Sequence, residues 1–226
     1  MELSSLTHYE QAILVLSALV LFTSFALLAQ SRLLSLINLF AWQGGLLAAT
    51  TALVALVSQQ YHLYISALLT LILKAIAIPG MLRSQVLDLK LHRETESLTH
   101  PTLVLLGGVA LVIFCYYVTL PVESLFTVVV TRNTIAVSLA NVLLSMLLII
   151  SRRQAVSQVV GFMAMENGLF FAAVVSTYGM PMVVELGIAF DVLVAAVLFG
   201  VFFFHIRENI DSLNVDQMNR LSEVDK

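Results

Sequence analysis

Charge is what this chain has least of. Only 11% of its 226 residues are Asp, Glu, Lys or Arg, against 60% hydrophobic residues, and the mean hydropathy is +0.98. A soluble domain carries roughly 25% charged residues, so the shortage excludes a soluble globular protein and points to one built mostly of membrane-spanning helices. Cysteine is nearly absent. The single Cys115 excludes an internal disulfide and a cysteine set for zinc or an iron–sulfur cluster. In the run Leu111-Val-Ile-Phe-Cys-Tyr-Tyr117 it reads as a small hydrophobe. The five histidines fall at expected helix ends or in loops, with no two spaced i, i+4, so neither a haem nor another metal site is supported. No basic stripe interleaves with aromatics, which argues against nucleic acid. We therefore expect no metal and no cofactor in this chain. The N-terminal ten residues lack the positive leader and small-residue cleavage site of a signal peptide, so the first helix is expected to be retained.

Long apolar runs are what the chain does have. Stretches of about twenty such residues mark spanning helices, and they are too long for barrel strands of about ten alternating residues. The sequence predicts an all-α, polytopic membrane protein with seven transmembrane helices at 10–30, 34–57, 62–82, 102–121, 130–150, 155–177 and 183–206. One connection is long, at 83–101. Two readings of it stay open: a solvated linker, or a surface helix with Val86, Leu87, Leu89 and Leu91 dipping into the headgroups. Lys and Arg placement sets orientation. Arg32, Arg83, Lys90, Arg93, Arg152 and Arg153 lie in the odd-numbered loops and Arg207, Arg220 and Lys226 in the tail, with only Arg132 on the other side. That bias places the N-terminus outside and the C-terminus in the cytoplasm.

Three ionisable residues break the apolar runs at depth. Glu166 lies near the middle of the sixth span, in Gly161-Phe-Met-Ala-Met-Glu-Asn-Gly168. Lys74 lies near the centre of the third, and Asp191 about a third of the way into the seventh. A charged residue at the bilayer centre costs about 2.5 kcal/mol or more on insertion scales, and such residues mark ion or proton pathways more often than not. Lys74 is too deep to reach either surface and is expected to face protein and seek an acid partner. We read Glu166, Asp191 and Lys74 as a candidate proton or ion relay; a buried ion pair that only fixes helix packing is the plainer alternative. Gln43, Asn141 and Asn38 are weaker candidates, open to relay or packing, with interhelical hydrogen bonding the commoner use. Gly44, Gly45 and Gly168 read as close-packing positions, and Pro79 as a bend in the third span.

Two helices look alike. Aligning Gln-Gly-Gly-Leu in the second span with Glu-Asn-Gly-Leu in the sixth puts Gln43 on Glu166, Gly45 on Gly168 and Leu46 on Leu169. An arginine precedes each helix. This suggests a three-helix unit used twice, in spans 1–3 and 5–7, with the fourth span as the extra crossing that keeps both copies in one orientation. Chance similarity between Leu/Ala/Gly-rich helices is the alternative. The expected organisation is 1–101, an N-terminal three-helix unit with its cytoplasmic loop; 102–121, a linking helix; and 122–226, a C-terminal three-helix unit with its tail.

These residues carry a family resemblance. The stretches Gly161-Phe-Met-Ala-Met-Glu-Asn-Gly168, Val184-Glu-Leu-Gly-Ile-Ala-Phe-Asp191 and Lys74-Ala-Ile-Ala-Ile-Pro79 resemble hydrogenase-4 component E, a membrane subunit of membrane-bound nickel–iron hydrogenases of the formate hydrogenlyase type. The last three spans also resemble the K subunit of respiratory complex I and the C subunit of multisubunit cation/proton antiporters, and the tail Leu213-Asn-Val-Asp216 is similar to the K-subunit ending. The resemblance implies a non-catalytic subunit of a complex I-like membrane arm in the cell inner membrane, coupling redox chemistry elsewhere to proton or sodium movement. Its implied partners are antiporter-like subunits, a membrane anchor like a quinone subunit and, indirectly, a soluble hydrogenase module. It also implies that Glu166 matches the acid of the K-subunit middle helix and Asp191, less directly, a second acid in the last helix. Two other functions remain open: an antiporter subunit without redox chemistry, and a purely structural scaffold.

Overall fold

The computed structural model describes residues 8–59, 61–88, 100–121, 129–176, 186–197 and 200, and those elements are all helical. In order they are α1 (His8–Ala29), α2 (Leu33–Ser58), α3 (Tyr61–Thr70), a π-helical segment (Leu71–Ala77), α4 (Ile78–Asp88), α5 (Pro101–Thr119), α6 (Val129–Ser151), α7 (Ala155–Ser176) and α8 (Leu186–Val197). Among the described residues, six stretches are long and apolar enough to cross a membrane; α3, the π segment and α4 together form one of them. The apolar helix α8 is the described part of the predicted seventh span. Apart from Gly200, the remainder of that span, and the tail, lie outside the described residues.

The helices are apolar on nearly every face, as expected where one side meets lipid and the other meets protein. Trp42, Phe22, Ile113 and Leu169 point outward. Packing is set by small residues instead of an apolar stripe. On α7, a side chain at Gly161 would meet Ile149 Cγ1 at 2.7 Å, and one at Gly168 would meet Asn141 Nδ2 at 2.8 Å. These two points hold α6 and α7 in close contact along their length. α1 packs on α6, and α2 on α7, so α2 lies against the helix that aligns with it in sequence. α5 sits at the edge, against α6 and α1, where Gly108 admits Leu144 and Leu28.

The interior is layered. One apolar cluster contains Leu27, Ile37, Phe40, Ile78, Leu144, Val160 and Ala195. A second contains Leu47, Val54, Leu63, Phe171 and Val174. Along α2, α6, α7, α8 and the third span, the polar residues Gln43, Asn141, Glu166, Asp191 and Lys74 fall between the positions that feed the two clusters. The polar layer is thus sealed above and below by hydrocarbon.

Two expectations need correction. The third span does not end at 82: α4 runs to Asp88, and Val86 is buried in the first apolar cluster. Val86 and Leu87 therefore extend a spanning helix and do not begin a separate surface helix; Leu89 and Leu91 lie outside the described residues. Before Pro79 the helix widens into π geometry over Leu71–Ala77, closed by the Ile78 N–H donating to Leu73 O. Proline lacks an N–H and crowds the carbonyl four residues back, so the regular α ladder cannot continue unchanged through this position.

The two arginine-bearing turns meet at one end of the bundle. Arg152 is buried and its Nη2 donates to Leu28 O at 3.0 Å and Gln30 O at 2.7 Å, capping the C-terminus of α1. Burial pushes its guanidinium down from the ordinary arginine value, yet arginine keeps its charge. Arg32 and Arg153 are exposed.

Candidate functional site

Lys74 is the centre of the polar layer. It is 0% exposed and lies in the π segment, whose wider turn moves its side chain off the α-helical register. Gly44 of α2 makes room for it: a Cβ there would come within 2.9 Å of Lys74 Cβ and 3.0 Å of its carbonyl carbon and oxygen. Any side chain at Gly44 would push against backbone, so this glycine sets how near the π turn approaches α2.

The ammonium meets two carboxylates. Lys74 Nζ donates to Glu166 Oε2 in direct contact, and lies 3.3 Å from Asp191 Oδ1. It also donates to Asn167 Oδ1 at 2.9 Å and lies 5.0 Å from the centroid of the Phe170 ring, a cation–π contact. Gly187 of α8 fits over that ring, with its missing Cβ 2.6 Å from Phe170 Cδ2 and 3.8 Å from Glu166 Oε1. Asp191 is wholly buried, whereas the Glu166 side chain is 11% exposed. Glu166 lines an open groove of about 340 Å³ between α7 and α8, together with Phe162, Met165, Leu169 and Phe190. One cation and two acids in a buried layer leave a single unmatched negative charge if all three are ionised. Such a charge is costly in low dielectric.

The sequence expected Lys74 to find an acid without saying which. The structure brings it to both. Gln43 and Asn141 join the same layer, whereas Asn38 is exposed and does not. Two members were not singled out from the sequence, Asn167 and Ser24. Asn167 Nδ2 donates to Gln43 Oε1 at 3.1 Å, Gln43 Nε2 to Asn141 Oδ1 at 3.1 Å and to Ser24 Oγ at 3.0 Å, and Asn141 Nδ2 to Ala164 O at 3.1 Å. Asn167 sits beside Glu166 in the motif and could have been marked by that adjacency. Ser24 gives no such signal, because serines in spanning helices commonly bond their own backbone, as Ser24 also does to Val20 O.

The chain is 30% identical to the uncharacterized protein Rv0085 of Mycobacterium tuberculosis over 190 residues, which is 84% of this chain and 86% of that one. The chain belongs to the Rv0085 family. It is also 26% identical to hydrogenase-4 component E of Escherichia coli and of Shigella flexneri over 207 residues, 91% of this chain and 95% of theirs. No family model matches it, and no solved structure matches it.

Proposed function

We propose that this protein is a membrane subunit of a complex I-like, membrane-bound hydrogenase, and that Lys74, Glu166 and Asp191 form its ion-transfer cluster. The likeness to hydrogenase-4 component E along nearly the full length of both chains supports the first part. The observation that carries the second is the buried ammonium lodged between two acids at mid-span, one of them reaching a groove at the protein surface. A charge trio that served packing alone would be expensive: replacing buried ion pairs with well-packed hydrophobic groups is often neutral or stabilising. Ion transfer gives the trio a use that packing does not.

In this reading the chain performs no redox chemistry. Protons or sodium ions load onto the carboxyl pair when Lys74 leaves one acid unmatched, and leave when the ammonium swings its attraction to that acid. Partner subunits like antiporter subunits and a quinone-type membrane anchor deliver and receive the ion, and a soluble hydrogenase module supplies the driving reaction. The membrane is the cell inner membrane, with the N-terminus outside and the C-terminus in the cytoplasm. Spans 1–3 and 5–7 are duplicated units in parallel orientation; the pairing of α1 with α6 and α2 with α7 supports this, since related units placed about an axis normal to the membrane bring like helices together.

Purification of the native complex tests the assignment. Co-purification with nickel–iron hydrogenase subunits is the expected result. A complex of antiporter subunits without a redox module would replace this reading with that of an antiporter component.

A further inference from the structure

Buried amides form a one-way chain that ends on Lys74. Its two ends are chemically fixed. The Ala164 carbonyl can only accept a hydrogen bond, and the Lys74 ammonium can only donate. Asn141 must therefore turn its Nδ2 to Ala164 O, leaving Oδ1 for Gln43 Nε2. Gln43 is left with Oε1 toward Asn167 Nδ2, and Asn167 with Oδ1 toward Lys74 Nζ. Flipping any one amide would set two donors or two acceptors face to face among buried groups. Gln43, Asn141 and Asn167 are each at most 1% exposed, so an unmatched group there has no solvent to turn to.

This geometry points to an anchor. Resting on the ion-transfer role given above to Glu166, Lys74 and Asp191, we infer that Asn167 is a positioning residue. Oriented by Gln43 and Asn141, it holds the Lys74 ammonium between the two carboxyls, and the amide chain itself carries no protons. Three oriented dipoles present an oxygen to the cation, one behind the other. A proton could enter this chain only by converting an amide to its imidic acid. After one passage every amide would have to reverse against its fixed ends. The chain runs into backbone at both far ends: from Asn141 to Ala164 O on α7, and from Gln43, through the Ser24 hydroxyl that accepts from its Nε2, to Val20 O on α1. Neither carbonyl is a proton acceptor for onward transfer. Among the described residues, the titratable groups that face Lys74 are Glu166 from α7 and Asp191 from α8, and α2 brings Gly44 against its backbone. Transfer is thereby confined to the carboxyl side of the ammonium.

The test compares variants in the purified native complex, reconstituted in proteoliposomes. Turnover-driven ion movement is read with a pH-sensitive dye and with radioactive sodium. Asn167→Thr and Asn167→Val have nearly the same shape, but only threonine offers Lys74 an oxygen. The threonine variant is expected to keep a third or more of wild-type ion movement and the valine variant to lose tenfold or more. If valine does not assemble, Asn167→Ser against Asn167→Ala reads the same contrast. Equal activity within either pair overturns the positioning role. Gln43→Leu is expected to slow turnover several-fold with an unchanged number of ions per electron pair. An assembled Gln43→Leu complex that turns over without moving ions would show that the amides do conduct, and would overturn the inference. Glu166→Gln serves as the parallel arm. Full ion movement there refutes the ion-transfer role itself, whereas its loss together with equal Thr and Val variants refutes the anchor alone.

Discussion

The stretch around Gln43 in α2 and the stretch around Glu166 in α7 have similar sequences, and lie against each other in the bundle, yet they do different jobs. Both place a long polar side chain between two apolar layers. In α7 that side chain is a carboxylate in contact with an ammonium, and it reaches a surface groove. In α2 it is an amide with no charge, wholly enclosed, and all its hydrogen bonds are to neutral groups. The next residue differs in a complementary way. Asn167 follows Glu166 and supplies an acceptor to Lys74, whereas Gly44 follows Gln43 and supplies space for the backbone that bears Lys74. One helix holds the charge of the lysine and the other its main chain. If the two arose by duplication, exchange of a single oxygen for an amide nitrogen turned an ionisable site into a structural one without loss of shape.

The largest effect that would break this comparison is at the cation. Lys74→Met leaves Glu166 and Asp191 buried without a counter-charge, and removing one partner of a buried ion pair costs about 3–5 kcal/mol. We expect poor assembly and no ion movement, with assembly, but not ion movement, recovered by adding Asp191→Asn. Quantifying the intact complex by native electrophoresis checks this; a fully assembled, active Lys74→Met complex would show that the cation is dispensable.

A smaller effect separates the two adjacent glycines of α2. Gly44→Ala puts a methyl within 2.9 Å of Lys74 Cβ and 3.0 Å of its backbone, and overpacking of this kind costs about 1–3 kcal/mol. Gly45→Ala meets nothing within 4 Å and is expected to be near neutral. Thermal denaturation of the two purified variants should rank Gly44→Ala clearly below Gly45→Ala; equal midpoints would contradict the proposed close approach of the π turn to α2.

The smallest perturbation tests orientation alone. Cysteines introduced at Ser4 and Ser222 should differ in labelling by an impermeant reagent on intact cells, with Ser4 reactive and Ser222 protected. Equal labelling at both would contradict seven crossings, and labelling at Ser222 only would reverse the proposed orientation.

Much of this was legible in the sequence because lipid makes charge expensive. Glu166, Lys74 and Asp191 stand out in apolar runs, and the run lengths mark the spans. The pairing was not legible. Whether Lys74 meets Glu166, Asp191 or both depends on helix rotation, and helices that are apolar on every side give no moment from which to read it. Asn167 and Ser24 were hidden for a related reason: one amide or hydroxyl in a spanning helix is ordinarily a packing bond. The π segment left no periodic trace beyond Pro79 itself. Arg152 was counted as a marker of sidedness, and its additional role as a cap on α1 depends on a contact far along the chain.

Glu166→Gln tests the central claim most directly. The substitution keeps volume and hydrogen-bonding reach while removing the charge, so the complex should assemble at wild-type levels. In proteoliposomes the purified variant complex is expected to lose turnover-driven ion movement at least tenfold. Ion movement at the wild-type rate would contradict the account and leave Lys74, Glu166 and Asp191 as a structural ion-pair cluster.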